Sequence, residues 1–211
     1  MVALGAAAVG ILVAKHFAPK PLPPPEIGGY VLPEPRALPA VELVDTDGER
    51  FTPADFAGHW SFLYFGYTYC PDVCPLALIE LAAVKKLLEA GPAGTAAGVL
   101  PRVGRPGPRH AGAAARIRGL LRPLVPWATG SADELRRLAE PTGSLFLIPA
   151  GQGTDHYLVS HSSNVTVLDP AGRIAAVITP PHEPSGIAAD FARILAYRAA
   201  RPWRRLRASA R

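Results

Sequence analysis

Trp60-Ser-Phe-Leu-Tyr-Phe65-Gly-Tyr-Thr-Tyr-Cys70-Pro-Asp-Val-Cys74-Pro75 decides the reading of this chain, because it joins a buried strand to a turn carrying both of its cysteines. Trp60 to Phe65 is a nearly continuous aromatic and apolar run, which fits a strand buried on both faces. Beyond the turn, Leu76 to Ala90 has helical spacing at Leu78, Leu81, Ala82, Lys85 and Leu88. The cysteines therefore fall at a helix N-terminus, whose unpaired N–H groups and positive dipole end stabilise thiolates. Pro75 suits a first helical turn. A spacing of four puts both sulfurs on one side of a near-helical turn. The Cys-x3-Cys pair differs from the redox Cys-x2-Cys and closes a less constrained disulfide. Two soft thiolates need one further ligand to hold Cu(I) in a low-coordinate site, and an imidazole serves; zinc asks for a fourth. The competing reading is a pair of small buried core residues. The flanking prolines and Asp72 are poor core material.

Outward from this stretch the pattern is α/β. Val41 to Val44 alternates and Asp47-Gly48 supplies a hairpin turn before Arg50-Phe51-Thr52. Ser131-Ala-Asp-Glu134 is a capping-box start for a short helix ending near Pro141. Leu145 to Ile148 reads as a strand. Asn164 to Leu168 and Arg173 to Ile178 read as a hairpin around Asp169-Pro-Ala-Gly172, and Ser185 opens a last helix with Ile187, Phe191, Ile194 and Leu195 on one face. This order predicts an α/β sandwich with a mixed sheet.

The chain of 211 residues has room for one domain with appendages. Residues 1–18 are an apolar, signal-like or anchor segment, although Met1 to Ala14 is shorter than a membrane span and no Lys or Arg precedes it. An anchor whose true start lies upstream, a signal peptide and a buried core helix are the three readings. Residues 19–39 hold eight prolines and read as a semi-rigid linker. Residues 40–200 form the domain and 201–211 a basic tail. The net charge of +5 belongs to two patches, six arginines within 98–127 and five in the tail, and the remaining body is acidic. That distribution argues against a nucleic-acid protein. The tail, with Trp203, is read as a solvated C-terminus, or as a segment lying on an anionic membrane.

Six histidines are candidates for a third ligand. His16 and His59 lie in an anchor junction and an early loop, His110 in an irregular segment, and His182 in the Pro180-Pro181-His182-Glu183 loop. His156 and His161 bracket Tyr157 to Ser160, and the residues alone leave the choice between these two open.

The run Tyr64 to Thr68 followed by Cys70-Pro-Asp-Val-Cys74-Pro75 resembles the signature of the Sco/SenC family. Val159-Ser-His161-Ser-Ser163 with Leu168-Asp-Pro-Ala-Gly172 is similar to that family's histidine loop and hairpin. The resemblance covers about Leu38 to Leu195. It implies a thioredoxin-like mixed sheet flanked by helices, and a membrane-tethered copper metallochaperone serving the dinuclear copper centre of cytochrome c oxidase. Cys70, Cys74 and His161 are then the Cu(I) ligands, with Cu(II) as a further cargo, while Asp72 and Pro75 shape the turn. The implied partners are copper-accepting subunit II of the oxidase, other periplasmic copper or thiol-redox proteins, and the cytoplasmic membrane through a single N-terminal anchor, with the domain on the extracytoplasmic side. Ser160 departs from the acid often found there, which bears on the tuning of the histidine.

A larger departure is residues 98–127, where turn residues are everywhere and no period is usable. The family has there a strand, a Val-Asp-Pro-x-Arg-Asp-Thr-Pro stretch and a helix. Codons can be chosen for Arg102 to Gly112 so that advancing one base yields VSVDPDRDTP. The same operation on Gly112 to Trp127 yields ARLRGYVAFFDPSFRG, rejoining the frame at Ala128. A compensated frameshift over this segment is the expectation, set against a diverged Arg/Pro-rich insertion that binds an acidic partner. The chain as written is then expected to lack a strand and a covering helix.

Copper chaperoning, which is not enzymatic, competes with a thiol–disulfide oxidoreductase using Cys70 and Cys74 to reduce a partner's cysteines. Dependence on His161 separates the two. A peroxidase with Cys70 as the reacting thiolate and Cys74 resolving lacks an accompanying arginine from the body of the domain.

Overall fold

The computed structural model describes residues 22–45, 47–66, 73–90, 98–100, 128–144, 146–147, 160–161 and 163–200. Its centre is strand β4 (Ser61–Tyr64), in which every residue is buried. Alternation along this strand serves two cores. Phe62 and Tyr64 enter one apolar cluster, and Leu63 and Phe65 enter the other.

Five strands form the main sheet in the order β1 (Gly29–Ala37), β10 (Arg173–Ile178), β9 (Val165–Leu168), β4 and β5 (Gly98–Leu100). β5 runs parallel to β4, and the other neighbours are antiparallel. Helices α1 (Val73–Ala90) and α3 (Pro184–Ala199) cover one face. Leu78, Leu81, Val84, Ile187, Phe191 and Ile194 pack there against Phe62, Val165 and Val167. The Phe191 ring meets Phe62 at 5.1 Å and Trp60 at 5.6 Å. On the other face lie β2 (Leu43–Asp45), β3 (Arg50–Phe51), β6 (Ala128–Thr129) and α2 (Ala132–Ala139), with Leu43, Phe56, Leu135 and Leu138 against Leu63 and Ile174. A two-residue ladder joins β7 (Phe146–Leu147) to β8 (Ser160–His161). The expected mixed sheet flanked by helices is present.

Local chemistry sets the boundaries. Ser131 caps α2 by accepting the Glu134 N–H at 3.2 Å, as its capping-box spacing predicts. Asp169 closes the β9–β10 hairpin. It accepts N–H groups from Ala171 and Arg173 and pairs with the Arg173 guanidinium at 2.7 Å. Gly172 supplies the positive φ that the turn needs. Glu183, two residues ahead of the predicted helix start, caps α3 through the N–H groups of Ser185 and Gly186.

Three sequence expectations need correction. Helix α1 begins at Val73 and not Leu76, so Cys74 and Pro75 lie inside its first turn. Gly98–Leu100, counted with the irregular segment, is a strand paired with Ser61 to Leu63. Three apolar or small residues alone are too short to show a period, and only the neighbouring strand stabilises them. The second half of the proline-rich stretch assigned to a linker is strand β1. It tolerates Pro33 and Pro35 because it is an edge strand whose register breaks between Val31 and Arg36.

That break frees backbone carbonyls, and Arg198 takes them up. Its buried guanidinium donates to Leu32 O at 2.6 Å, to Pro33 O at 3.1 Å and to Ala175 O at 2.9 Å. Ala175 pairs in neither adjacent ladder. Asp190 holds the start of the same strand, accepting the Gly28 N–H at 2.7 Å. At Gly29 any Cβ would stand 2.0 Å from Val177 O, so only glycine allows this approach.

Arg198→Leu leaves these carbonyls without their charged donor. It is expected to lower stability by about 3 kcal/mol, measured by urea denaturation. Glu183→Gln tests the α3 cap. Hydrogen bonds from Ser185 and Gly186 hold the Glu183 carboxyl below its ordinary value. The cap therefore stabilises the fold above that value and is lost as pH falls through the lower, folded one. The melting temperature of the variant should lie below that of the parent at neutral pH. The gap should close as pH drops below the ordinary 4.5 of glutamate.

Candidate metal centre

One row of the sheet gathers the chemistry. Val165 of β9 stands opposite Tyr64 on one side and opposite Ile178 on the other. β4 and β10 both run antiparallel to β9, so their carboxyl ends share one edge of the sheet. From this row Tyr64 leads towards Cys70 and Cys74, and Ile178 leads to His182. His161 enters β9 from the same end, four residues ahead of Val165. Crevices at the carboxyl ends of parallel strands are where open α/β sheets place ligands.

Cys74 is the second residue of α1. An 18-residue helix aligns its peptide dipoles over about 27 Å, and its positive end favours a thiolate there. Leu76 and Ile79, on the outward face of the same turns, are exposed. His161 is the second residue of β8, opposite Phe146. Cys70, Asp72, His16, His110 and His156 lie outside the described residues, as do the side chains of Cys74, Pro75, Ser160 and His161. Among the described side chains no cluster of three His, Cys, Asp or Glu residues is placed to hold a metal ion. His59 precedes β4 at the opposite end, about 16 Å of strand away from Tyr64. That removes it from the candidate ligands.

His182 has a more definite setting than its place in a proline-rich loop announced. It is 5 % exposed, and its ring meets the Tyr64 ring edge-on at 6.4 Å. Burial pushes its imidazole below the ordinary histidine value, while Glu80 on α1 pulls the other way. No periodicity in the sequence signals this, because the loop is placed by β10 and α3 together. The two thiols and the imidazole expected from the sequence are donors of the kind copper, a soft metal, accepts.

No helix of the described residues is long and apolar enough to cross a membrane. Residues 1–18, the expected anchor, and the tail 201–211 lie outside them.

Known proteins resemble this chain in sequence and fold. The family model described as SCO1/SenC matches residues 34–100. A Stutzerimonas stutzeri protein named for copper binding is 31% identical over 170 residues, which span 78% of this chain and 80% of that one. The mitochondrial SCO2 homologue of Danio rerio is 34% identical over 134 residues, 62% of this chain and 47% of the relative, so the chain spans about half the length of that protein. The crystal structure of yeast Sco1 with copper bound superposes with a TM-score of 0.68 at 22% identity, over 84% of this chain and 96% of the other. That likeness carries the fold. Taken with the cysteine motif and the match along most of the Stutzerimonas protein, it closes the question of kinship: this chain belongs to the SCO1/SenC family.

Proposed function

We propose that this protein captures Cu(I) and passes it to subunit II of cytochrome c oxidase during assembly of the dinuclear copper centre. Cys70, Cys74 and His161 are its ligands. The observation that carries the reading is the shared edge of the sheet: the cysteine segment, the histidine segment and the N-terminus of α1 all lead from the Tyr64–Val165–Ile178 row. Family membership and the copper named in its relatives support it.

The mechanism follows from the donors. The helix N-terminus lowers the free energy of thiolates, so the pair releases its protons when the metal arrives. Two sulfurs and one imidazole leave Cu(I) under-coordinated, so an incoming cysteine of the partner adds before one of the outgoing ligands leaves. Transfer then proceeds by ligand exchange without a free ion. The acceptor's sulfur-bearing site must be open to solvent. The chain works at the outer face of a cytoplasmic membrane, held by residues 1–18.

Residues 98–127 are read as the product of a compensated frameshift, whose start moves to 101 because Gly98–Leu100 pairs as a strand. The SCO1/SenC match ends at residue 100, two residues before Arg102, which supports that reading. The gene's nucleotides test it: codons that cannot yield the shifted text overturn it, and the arginines then belong to a real insertion.

An anaerobic Cu(I) titration of the full chain tests the function. One tightly held copper per chain is expected. Cys74→Ser should abolish tight binding, and His161→Ala should weaken it by about a hundredfold or more. Tight binding indifferent to His161 would move the chemistry to the thiols alone. Reduction of a partner disulfide, with Cys70 and Cys74 becoming the disulfide, would then be the function.

A further inference from the structure

The chain enters the domain at the same edge of the sheet from which β4 and β10 leave it. Gly29, the first residue of β1, stands opposite Ile178, so the Tyr64–Val165–Ile178 row ends on Gly29. Three strand spacings of about 4.8 Å put this entry roughly 14 Å from the end of β4. The first turns of α1 belong to the same end, because Glu80 is near enough to act on His182, whose ring meets Tyr64 at 6.4 Å.

The entry is pinned. Ile27 packs against the core beneath α1 and α3. Asp190 of α3 accepts the Gly28 N–H at 2.7 Å. Gly28 O in turn accepts the Thr179 N–H at 2.8 Å and the Thr179 hydroxyl at 3.1 Å. Nine residues, 19–27, separate this point from the apolar segment 1–18, and five of them are proline. Fully extended, they reach at most about 32 Å. As a proline-rich run they hold near about 28 Å. A domain the size of residues 40–200 has a radius of gyration of about 15 Å and is roughly 40 Å across. If it were turned over on a membrane, this edge would stand about 40 Å from the bilayer, farther than the linker reaches.

We propose that the domain sits on the membrane with the edge formed by the carboxyl ends of β4 and β10 turned towards the bilayer, within about 32 Å of its surface. The acceptor it fits is a membrane-bound protein whose sulfur ligands stand at that height. A short linker raises the effective concentration of such an acceptor, while a partner arriving from the bulk solution meets the opposite edge, where His59 lies. The inference rests on the anchoring and the copper cargo proposed above, and adds the side on which the acceptor is met.

Energy transfer from the full chain to vesicles tests the orientation without copper. The vesicles are phosphatidylcholine with an acceptor dye on a fraction of the head groups. A donor dye is placed on Leu76→Cys or on Leu87→Cys in a Cys70→Ser, Cys74→Ser background. Both leucines are exposed on α1, and Leu87 lies about 16 Å further from this edge. Transfer should be stronger from position 76. A Gly/Ser insert of about twenty residues after Leu22, with a mean span of about 25 Å, should erase the difference. The same insert in the chain with its cysteines should leave Cu(I) affinity unchanged. Equal transfer from both positions without the insert, or stronger transfer from 87, overturns the inference and leaves copper binding in place. A chain that does not float with the vesicles overturns the anchoring, and this inference with it. Stronger transfer from 76 in a chain whose parent takes up no Cu(I) supports the orientation and overturns the copper reading alone.

Discussion

Burial of Ser61–Tyr64 on both faces is the constraint on which the rest of the molecule depends. Each side chain of β4 commits to one of two cores. A one-residue slip would send Phe62 and Tyr64 into the layer built around Leu43 and Leu138, and Leu63 towards the helices. That penalty sets the register with β9, and β9 sets the register with β10. Because the register is set, Tyr64, Val165 and Ile178 form one row, and three loops leave from one edge. Where those loops leave the sheet is therefore a consequence of how the core packs.

Charged side chains in this fold serve the backbone. At Arg198, a break in the edge strand leaves carbonyls pointing inward, and a guanidinium from the last turn of α3 satisfies them. At Asp169, Asp190 and Glu183, carboxylates accept backbone N–H groups at a turn, a strand entry and a helix start. These groups are structural, and each has its partners in the chain as it stands.

Much of the fold was legible beforehand. Trp60 to Phe65 as a doubly buried strand, Arg173 to Ile178 as a strand and Ser131 as a helix cap all follow from local pattern or side-chain chemistry that acts within a few residues. The misread places have non-local causes. Gly98–Leu100 is a strand because β4 lies beside it, and Gly29–Ala37 is one because β10 and Arg198 accept its prolines. A proline-rich sequence alone describes an extended chain and says nothing of what it docks against.

The sequence by itself determined the chemistry: soft sulfur donors at the start of a helix and a histidine segment ahead of the β9 strand. Those are properties of residue type and spacing, which survive without any partner. Tertiary structure alone decided that these segments share one edge, that His59 lies at the other, and that His182 is buried against Tyr64. Such facts depend on which strands are neighbours and in what register. Neighbours are chosen by the two cores filling together, over contacts more than a hundred residues apart, and no local pattern records that choice.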